Sequence, residues 1–366
     1  MTNTKLKFRA STVEGKPETL YYQIRHDRAA RQISTRIRIL PGECSPDTSG
    51  DAPVYSLAYM KEDIRRISQE GRLGTARNRR RAMSSFSTFL GGKDIAIRDL
   101  NRRLINEYAG WLAGKDLTRN TISFYMRTLR SVYNRAVKDG IILQNNPFTD
   151  VYTGVDCTRK RAVNEDVILR MMKLELNGTP GLDLARDMFV FSYCSRGMAF
   201  VDMAMLQKSD IHGDCIVYSR KKTGQRLSVR IEPCTATIIS KYSGKTVGTP
   251  YIFPVIRSSE REEIFRQYQT ALGYYNRKLK RLGRRLGLDT PLTSYVARHT
   301  WATSARNHNT PLSVISTGMG HTSERTTRIY LAALDESVID RANSNILASL
   351  NKFVMSSGKP QDRTAE

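Results

Sequence analysis

The sequence is poor in cysteine, and none of its five cysteines belongs to a Cys-x-x-Cys pair. Zinc centres built on cysteine clusters are therefore not expected, whereas free thiols in a reducing compartment are. The chain also lacks any apolar run of the roughly 18 residues that a membrane-spanning helix needs. Its opening, MTNTKLKFRAST, lacks the apolar stretch of a secretory signal peptide. These absences predict a cytoplasmic protein with no membrane segment.

Acidic residues are also scarce, because 35 Asp and Glu stand against 59 Lys and Arg and leave a net charge of +24. Such an excess opposes compaction through self-repulsion, so it indicates a polyanionic partner. Nucleic acid is the first candidate and an anionic membrane surface the second. Neither a Walker A segment nor a clustered set of carboxylates stands out in the sequence. We therefore expect neither ATP nor a metal ion as cofactor.

The pattern of apolar residues divides the 366 residues into several domains. Alternating apolar and polar residues at 17–39, broken at HDRAAR, predict a hairpin in a small β-rich module over 1–45. A stretch rich in Gly, Pro, Ser and Asp follows as a linker. Helical periodicity predicts an all-α domain at 55–150 and a mainly α domain of α+β type at 158–350. Residues 351–366 are polar and are predicted to be a disordered tail.

Within these domains the periodicity predicts individual elements. Helices are expected at 58–70, 76–90, 98–113, 164–176, 181–193, 199–206, 260–286, 295–307, 311–318, 323–333 and 336–350. A further helix begins after Thr118, which can cap it, and ends at Gly140. Strands at 214–219 and 226–231 are predicted to form a small β-hairpin around KKTG.

Two of the predicted helices carry basic residues beside their apolar stripes. In the helix after Thr118, Arg119, Arg127 and Arg130 lie within about a quarter-turn of one another. A second set surrounds the stripe of the helix at 260–286. Its members include Arg277, Lys278, Lys280 and Arg281. A solvated face is the ordinary meaning of such charges, but the strong net charge favours contact with the phosphates of DNA.

Four short basic segments stand in order in the last domain. They are SRGMAFVDMAML (195–206), SRKKTGQ (219–225), SYVARHTWAT (294–303) and GMGHTSERTTRIYL (318–331). Cutting DNA without a metal ion requires a nucleophile, cations for the non-bridging phosphate oxygens and an acid for the leaving oxygen. The segments contain residue types for each task. Taken alone, Tyr330 also suits a core position, and the lysines of KKTG suit a solvated hairpin tip.

These segments resemble the catalytic boxes of the tyrosine recombinase (phage integrase) family. ARHTWAT is similar to the family's Leu-Arg-His-Thr-Phe-Ala-Thr box, and GHTSERTTRIY is similar to its Gly-His-Ser…Thr…Tyr box. Eight residues separate His321 from Tyr330, as in the family. The resemblance runs from about residue 60 to 345. It implies that the helical domain is the SAM-like core-binding domain and that the β-rich module is an arm-type DNA-binding domain.

The resemblance assigns a role to each matching residue. Tyr330 attacks the scissile phosphate and becomes the 3′-phosphotyrosyl link. Arg298 holds a non-bridging oxygen, for which its planar fork is suited, and His321 hydrogen-bonds the same phosphate. Lys222 is the general acid for the 5′-hydroxyl, and its neighbour Lys221 is the alternative.

Two positions depart from the family's pattern. Arg196 is the candidate for the first arginine, but it precedes Asp202 by six positions where the family has three, and Ala199 occupies the arginine's place. We expect the side chain of Arg196 to reach the site from one helical turn earlier. Tyr295 stands where the family commonly has a histidine three residues before Arg298. A phenol is a poor base at neutral pH, so Tyr295 is expected to act as a hydrogen-bond partner.

The resemblance implies a site-specific DNA recombinase, an integrase or invertase, that binds double-stranded DNA. It implies a homodimer on each site, a homotetramer in the synapse and room for accessory DNA-bending proteins. A type IB topoisomerase-like nicking and closing enzyme would use the same chemistry as a monomer. A catalytically silent DNA-binding relative would use the fold only to occupy sites. The residues do not distinguish integration, excision and inversion, nor do they give the target sequence.

Overall fold

The computed structural model describes residues 2–9, 18–26, 29–39, 53–156, 162–176, 178–331, 343–344 and 346–348. For the first three ranges and for residues 329–330 it describes the backbone alone. The chain divides into two compact units, Met1–Val155 and Asp156–Glu366. The predicted division of the first unit into a β-rich module and a helical domain stays a prediction. The predicted tail and most of the predicted helix at 336–350 lie outside the described residues.

An antiparallel sheet begins the first unit. Its strands are β1 (Thr2–Arg9), β2 (Glu18–His26) and β3 (Ala29–Ile39), in the order β1-β2-β3. β2 and β3 pair from His26↔Ala29 onward, and two residues connect them. A connection of this length is typical of a β-hairpin. The hairpin that the alternation predicts at HDRAAR is therefore confirmed.

The rest of the first unit, from residue 53 on, is mainly helical. Its helices are α1 (Ser56–Gln69), α2 (Leu73–Phe89), α3 (Arg102–Ala113) and α4 (Arg119–Lys138). The backbone N–H of Thr121 donates to the side chain of Thr118 at 3.4 Å, and Gly140, just after α4, has a φ of +75°. Both predicted ends of α4 are thus confirmed. Phe86 and Tyr108 pack edge to face inside the core, with ring centroids 5.1 Å apart.

A buried ion cluster connects α1, α2 and α4. Asp63 is 3% exposed and forms ion pairs with Arg66 and Arg79. Arg135 Nε of α4 lies 3.7 Å from the same carboxylate, and Arg79 Nη2 donates to Ser131 Oγ at 3.1 Å. A buried charge requires a partner of opposite sign, and here one carboxylate serves three guanidiniums. The cluster is part of the core of the helical domain.

The second unit is mainly helical. Its helices are α5 (Glu165–Met172), α6 (Pro180–Cys194), α7 (Phe200–Ala204), α8 (Pro233–Ser243), α9 (Arg261–Arg285), α10 (Val296–Asn307), α11 (Leu312–Gly318) and α12 (Glu324–Tyr330). A small antiparallel sheet contains β4 (Ile211–His212), β5 (Cys215–Ser219) and β6 (Arg226–Arg230), in the order β4-β5-β6. The hairpin predicted around KKTG is confirmed.

α6 is the central helix of this unit. Its consecutive residues Met188, Phe189, Val190 and Phe191 are all buried, as expected of an interior helix that is apolar on every side. It contacts α5, α8, α9 and α10. Because α6 ends at Cys194, the residues that follow emerge from the core beside α10.

The sequence analysis missed α8, which follows directly after β6. Proline begins this helix, at a position where a missing N–H costs nothing. Its buried residues are Thr235, Ile238 and Tyr242, of which only Ile238 is aliphatic. With so few aliphatic residues, α8 lacks the apolar stripe from which the other helices were predicted.

Candidate active site

Four separate stretches of the second unit come together. One is the first turn of α10, and the others are the turn after α6, the turn between β5 and β6, and the turn between α11 and α12. Hydrogen bonds from two buried arginine side chains connect them. These are the four basic segments that the sequence singles out, and the fold brings them together.

Arg298 lies in the first turn of α10 and is 3% exposed. Its Nη1 donates to the carbonyl oxygen of Gly197 and its Nη2 to that of Met319, each at 2.6 Å. Gly197 has a φ of +70°, and a Cβ there would lie 2.8 Å from the Cα of Arg298. Glycine alone permits this backbone conformation and this approach without strain. Arg298 therefore joins the turn after α6 to the turn before α12.

His321 lies next to this guanidinium. Its Nε2 is 3.1 Å from Arg298 Nη2, and its Nδ1 is 2.8 Å from Thr327 Oγ1. A guanidinium can only donate, so Nε2 accepts and the ring proton is on Nδ1, which donates to Thr327. Burial, which is the largest cause, and the positive charges of Arg298, Arg220 and Lys222 together lower the pKa of His321 from 6.5 to about 4. The imidazole is therefore neutral at pH 7.

The two hairpin lysines differ in their surroundings. Both are exposed. The backbone N–H of Lys221 donates to Asp202 Oδ1 at 2.8 Å. The positive charge of the Lys221 side chain opposes the rise that burial causes in the pKa of Asp202. The charge of Lys222 instead acts on His321, whose pKa it lowers. This difference favours Lys222 as the general acid, although the choice between the two lysines stays a prediction.

Arg220 is a buried residue of the site that the sequence analysis missed. It is 6% exposed, and its Nη1 donates to the carbonyl oxygen of Gly320 at 2.6 Å. Its Nε lies 4.0 Å from Asp202 Oδ2. Alternation along the strand carries the signal, because Ile216, Tyr218 and Arg220 are each buried and lie two residues apart. Extending β5 by one residue would have placed Arg220 on the inner face.

Arg196 reaches the site by a different route from the one predicted. It lies between α6 and α7 with a φ of +57°, and Ala199 is the residue before α7. The two residues therefore do not share a helical face, and the helical-turn explanation is wrong. Arg196 Nη1 donates to the carbonyl oxygen of Ser228 on β6 at 3.3 Å. A Cβ on Gly318 would lie 3.7 Å from Arg196 Cδ, so the side chain of Arg196 lies beside the end of α11.

The two candidate tyrosines occupy the ends of helices. Tyr295 precedes α10, is 45% exposed and has its ring centroid 6.4 Å from that of His299. Tyr330 is the last residue of α12, and its side chain lies outside the described part of the structure. Thr327, which bonds His321, precedes it on the same helix. Three residues of helix rise about 4.5 Å, so the backbone of Tyr330 lies close to the His321 turn.

The three predicted DNA-binding arginines of α4 make contacts within the first unit. The Arg119 guanidinium lies 3.9 Å from the ring centroid of Tyr152. Arg130 Nη1 donates to Thr153 Oγ1 at 3.0 Å. Arg127, which is exposed, donates from Nε to the carbonyl oxygen one turn earlier at 3.4 Å. Two of the three thus hold the segment that leaves the domain, and their contact with DNA stays a prediction.

The predicted basic residues of α9 follow a stretch of that helix that packs against α7 and the start of α10. Tyr275 stacks on Phe200 with ring centroids 4.6 Å apart, and Asn276 Oδ1 accepts from the backbone N–H of Ser294 at 2.8 Å. Arg277 and Lys278 lie over the ring of Tyr274, at 5.6 Å and 4.7 Å from its centroid. The remaining predicted residues of this set, Lys280 and Arg281, are exposed.

Two further properties were tested across the described residues. No helix among them has both the length and the apolar character that crossing a membrane requires. The same residues contain no group of three or more His, Cys, Asp and Glu side chains placed to hold a metal ion. The clustered turns carry the cationic side chains of Arg196, Arg220, Lys222 and Arg298, and Asp202 is a buried carboxylate beside Arg220.

Comparison with known proteins identifies both units. Residues 56–152 match the phage integrase SAM-like domain, and residues 165–337 match the phage integrase family. Tyrosine recombinase XerD of Pseudomonas aeruginosa is 20% identical over 268 residues, which cover 70% of this chain and 87% of the relative. The matched family region includes all of the clustered turns.

Solved structures share the fold. A lambda integrase dimer bound to a COC′ core site superposes with a TM-score of 0.57 at 15% identity, covering 85% of this chain and 91% of that one. The Tn1549 transposon integrase in complex with transposon right end DNA gives a TM-score of 0.56 at 17% identity, covering 81% and 100%. Together with the family matches, these findings identify the class of protein. The chain belongs to the phage integrase family, the tyrosine recombinases, and is an enzyme of site-specific recombination that breaks and rejoins DNA strands.

Proposed function

We propose that this recombinase cleaves DNA with Tyr330 as the nucleophile and holds the scissile phosphate with Arg298, His321 and Arg196. The observation that carries the proposal is the buried guanidinium of Arg298 beside His321 Nε2, held in place by two backbone carbonyl oxygens. A planar guanidinium fixed in this way is suited to a phosphate oxygen. Lys222, whose charge acts on His321, is proposed as the general acid.

The balance of buried charge supports an anionic ligand. Arg298 and Arg220 are two buried cations, and both lie near the buried carboxylate of Asp202. The backbone carbonyls that accept their hydrogen bonds carry no net charge. A phosphodiester carries one negative charge and would be attracted to these two cations.

The proposed step exchanges one phosphate ester for another. The phenolic oxygen of Tyr330 forms a bond to phosphorus while the bond from phosphorus to the 5′-oxygen of the sugar breaks. The phenolic proton passes to water, and Lys222 gives a proton to the leaving 5′-oxygen. Tyr295, exposed at the start of α10, is proposed as a hydrogen-bond partner rather than a base. Attack by a different 5′-hydroxyl reverses the step and joins a new strand.

Double-stranded DNA is the proposed partner, and the assembly is proposed from relatives that share the fold. Lambda integrase has been crystallised as a dimer bound to a COC′ core site and as a tetramer bound to a Holliday junction. We propose a dimer of this recombinase on each DNA site and a tetramer in the synapse. The basic residues of α4 and α9 are proposed to contact phosphates outside the cleavage site, and accessory DNA-bending proteins are proposed to assist.

The reaction is proposed to serve a mobile element or an invertible DNA segment in the cytoplasm. Support for a mobile element comes from the fold shared with the Tn1549 transposon integrase. Integration, excision and inversion use the same chemistry and differ in how two DNA sites are arranged. Sequencing the junctions that the enzyme produces would distinguish them.

The test is to trap the covalent intermediate. The full chain is incubated with fragmented genomic DNA, denatured, and digested to locate the peptide that retains a nucleotide. Wild-type protein should retain DNA on the peptide that contains Tyr330. Tyr330→Phe should lose the covalent product and keep its DNA affinity. Tyr274→Phe, which alters an exposed tyrosine of α9, should form the product at the wild-type rate.

The same material separates the rival functions. A covalent product with plasmid relaxation but without recombinant junctions would indicate a nicking and closing enzyme. DNA binding without any covalent product would indicate a catalytically silent relative. A nucleotide retained on a peptide other than the one with Tyr330 would contradict the assignment of the nucleophile.

A further inference from the structure

A pair of buried opposite charges stands between the turn that carries His321 and the turn that carries Lys222. Arg220 directly follows β5 and is 6% exposed, and Asp202, in α7, is 3% exposed. Arg220 Nε and Asp202 Oδ2 are 4.0 Å apart. Neither residue belongs to the set proposed to meet DNA, so their burial at the centre of the site calls for another role.

On one side, Arg220 supports the turn before His321. Its Nη1 donates to the carbonyl oxygen of Gly320 at 2.6 Å. Gly320 has a φ of +64°, and a Cβ there would lie 2.9 Å from both Arg220 Cδ and Leu227 Cδ1. The backbone of Gly320 therefore rests directly on these two side chains. The peptide unit that leads into His321 is held by both a hydrogen bond and close packing.

On the other side, Arg220 and Asp202 fix the hairpin turn. The backbone N–H of Arg220 donates to Gln225 O at 2.9 Å, and that of Gly224 donates to Arg220 O at 2.8 Å. Asp202 Oδ1 accepts from the N–H of Lys221 at 2.8 Å. The turn is thus closed at its base and attached to α7 immediately before Lys222.

We propose that Arg220 is a positioning residue, which holds the His321 turn at a fixed place relative to the hairpin turn of Lys222. The inference rests on the proposed function, because it takes His321 and Lys222 as the residues that meet the phosphate. Arg220 itself is buried and bonds to Gly320 O, so it acts through its neighbours. A displacement of about 1 Å between catalytic groups can cost roughly 10²-fold in rate.

The test compares two substitutions of Arg220 with a matched control. Arg220→Met removes the charge and the hydrogen bond but keeps an unbranched apolar stem. Arg220→Lys keeps the charge beside Asp202 and loses the planar fork. Arg230→Met alters an arginine of the same hairpin whose side chain is 70% exposed and lies beside Asp214. Each variant is compared with wild type in DNA affinity, in the rate of covalent product formation and in thermal unfolding.

We expect Arg220→Met to form the covalent product roughly 10–100-fold more slowly, with DNA affinity within about threefold of wild type. Arg220→Lys should fall between it and wild type, and Arg230→Met should match wild type. If Arg220→Met fails to fold, the rate of Arg220→Lys tests the proposal instead, because that variant retains the charge beside Asp202. A wild-type rate in the folded Arg220 variants would overturn the proposal.

A second readout follows the imidazole of His321 and requires neither DNA nor activity. Nuclear magnetic resonance titration, with the resonance assigned by His321→Gln, should give a higher His321 pKa in Arg220→Met than in wild type. The facing cations are Arg298, Arg220 and Lys222, and Arg230→Met should leave the titration unchanged. A slower rate with an unaltered titration would mean general destabilisation and would overturn the proposal. If wild type forms no covalent product, the proposed function fails. The role of Arg220 is then judged from the His321 titration alone.

Discussion

The molecule buries arginine in two places and bonds it differently in each. In the helical domain, Arg79 forms an ion pair with Asp63, which two further arginines also approach. In the second unit, Arg298 donates to the backbone carbonyl oxygens of Gly197 and Met319. A carboxylate neutralises the charge of a guanidinium, whereas a carbonyl group satisfies its N–H groups and leaves the charge in place. Arg79 thus bonds to a carboxylate and Arg298 to backbone carbonyls, and on this difference we base the expectation that Arg79 is structural and that Arg298 binds a phosphate.

The largest expected effect concerns the ion cluster around Asp63 in the first unit. Asp63→Ala should lower the free energy of unfolding by about 3–5 kcal/mol, because it leaves the buried guanidinium of Arg79 without its carboxylate. Denaturant unfolding of the full chain measures this. The matched control is Asp150→Ala, whose partner Arg102 is 3.4 Å away and whose side chain is 47% exposed. An exposed pair of this kind contributes about 0–1 kcal/mol, so equal losses in the two variants would break the comparison.

The next largest effect concerns Arg298 in the second unit. Arg298→Met should slow covalent product formation by roughly 10²–10³-fold, because it removes the fixed donors for the phosphate oxygen. Arg79→Met supplies the contrast, since it should destabilise the protein and leave the rate per folded molecule unchanged. Single-turnover cleavage, corrected for the folded fraction, measures both. A comparable loss of rate in Arg79→Met would show that the two kinds of buried arginine do not differ in function.

A smaller effect should appear in the pH dependence of stability. The pKa of His321 is about 4 in the folded chain and 6.5 in its ordinary state, so between these values the unfolded chain binds a proton that the folded chain does not. The free energy of unfolding of wild type should therefore fall as the pH drops from 6.5 to 4. Urea unfolding across this range measures the fall, which should be weaker in His321→Gln. Parallel pH profiles for the two proteins would contradict the low pKa.

The smallest effect concerns the basic residues of α9. Lys278→Gln should weaken DNA binding severalfold and reduce the slope of log Kd against log salt concentration by about 1, because one phosphate contact is lost. The rate of the bound complex should not change, because Lys278 lies over the ring of Tyr274 and is not among the residues proposed to hold the scissile phosphate. Binding titrations at several salt concentrations measure the slope. An unaltered slope would exclude Lys278 from the DNA interface.

Much of the fold could be predicted from sequence periodicity. α4 begins after Thr118 and ends before Gly140 as predicted, because a capping side chain and a glycine of positive φ are local signals. α8 was missed because its buried residues are Thr235, Ile238 and Tyr242, which do not form an aliphatic stripe. Local patterns thus predict elements that bury one apolar face and overlook those that do not.

The site was predictable in its residue types but not in how its residues are held. Spacing indicated Arg298 and His321, yet the bonds of Arg298 to Gly197 and Met319 join residues that are far apart in sequence. The position of Arg196 depends on a left-handed backbone, which no helical spacing predicts. Arg220 was overlooked because a basic residue beside two lysines reads as part of a solvated turn, although its burial fits the strand's alternation.

The bond between Thr327 and His321 lies within a single chain, and it has a consequence for subunit cooperation. The helix that ends at Tyr330 is attached through Thr327 to His321 of the same chain, so on the roles proposed above each copy would carry both the nucleophile and the groups that hold the phosphate. A copy without those groups and a copy without the nucleophile would then be unable to rescue each other by sharing parts. Division of labour among the subunits would concern the order of cutting, while the ability to cut would belong to each subunit separately.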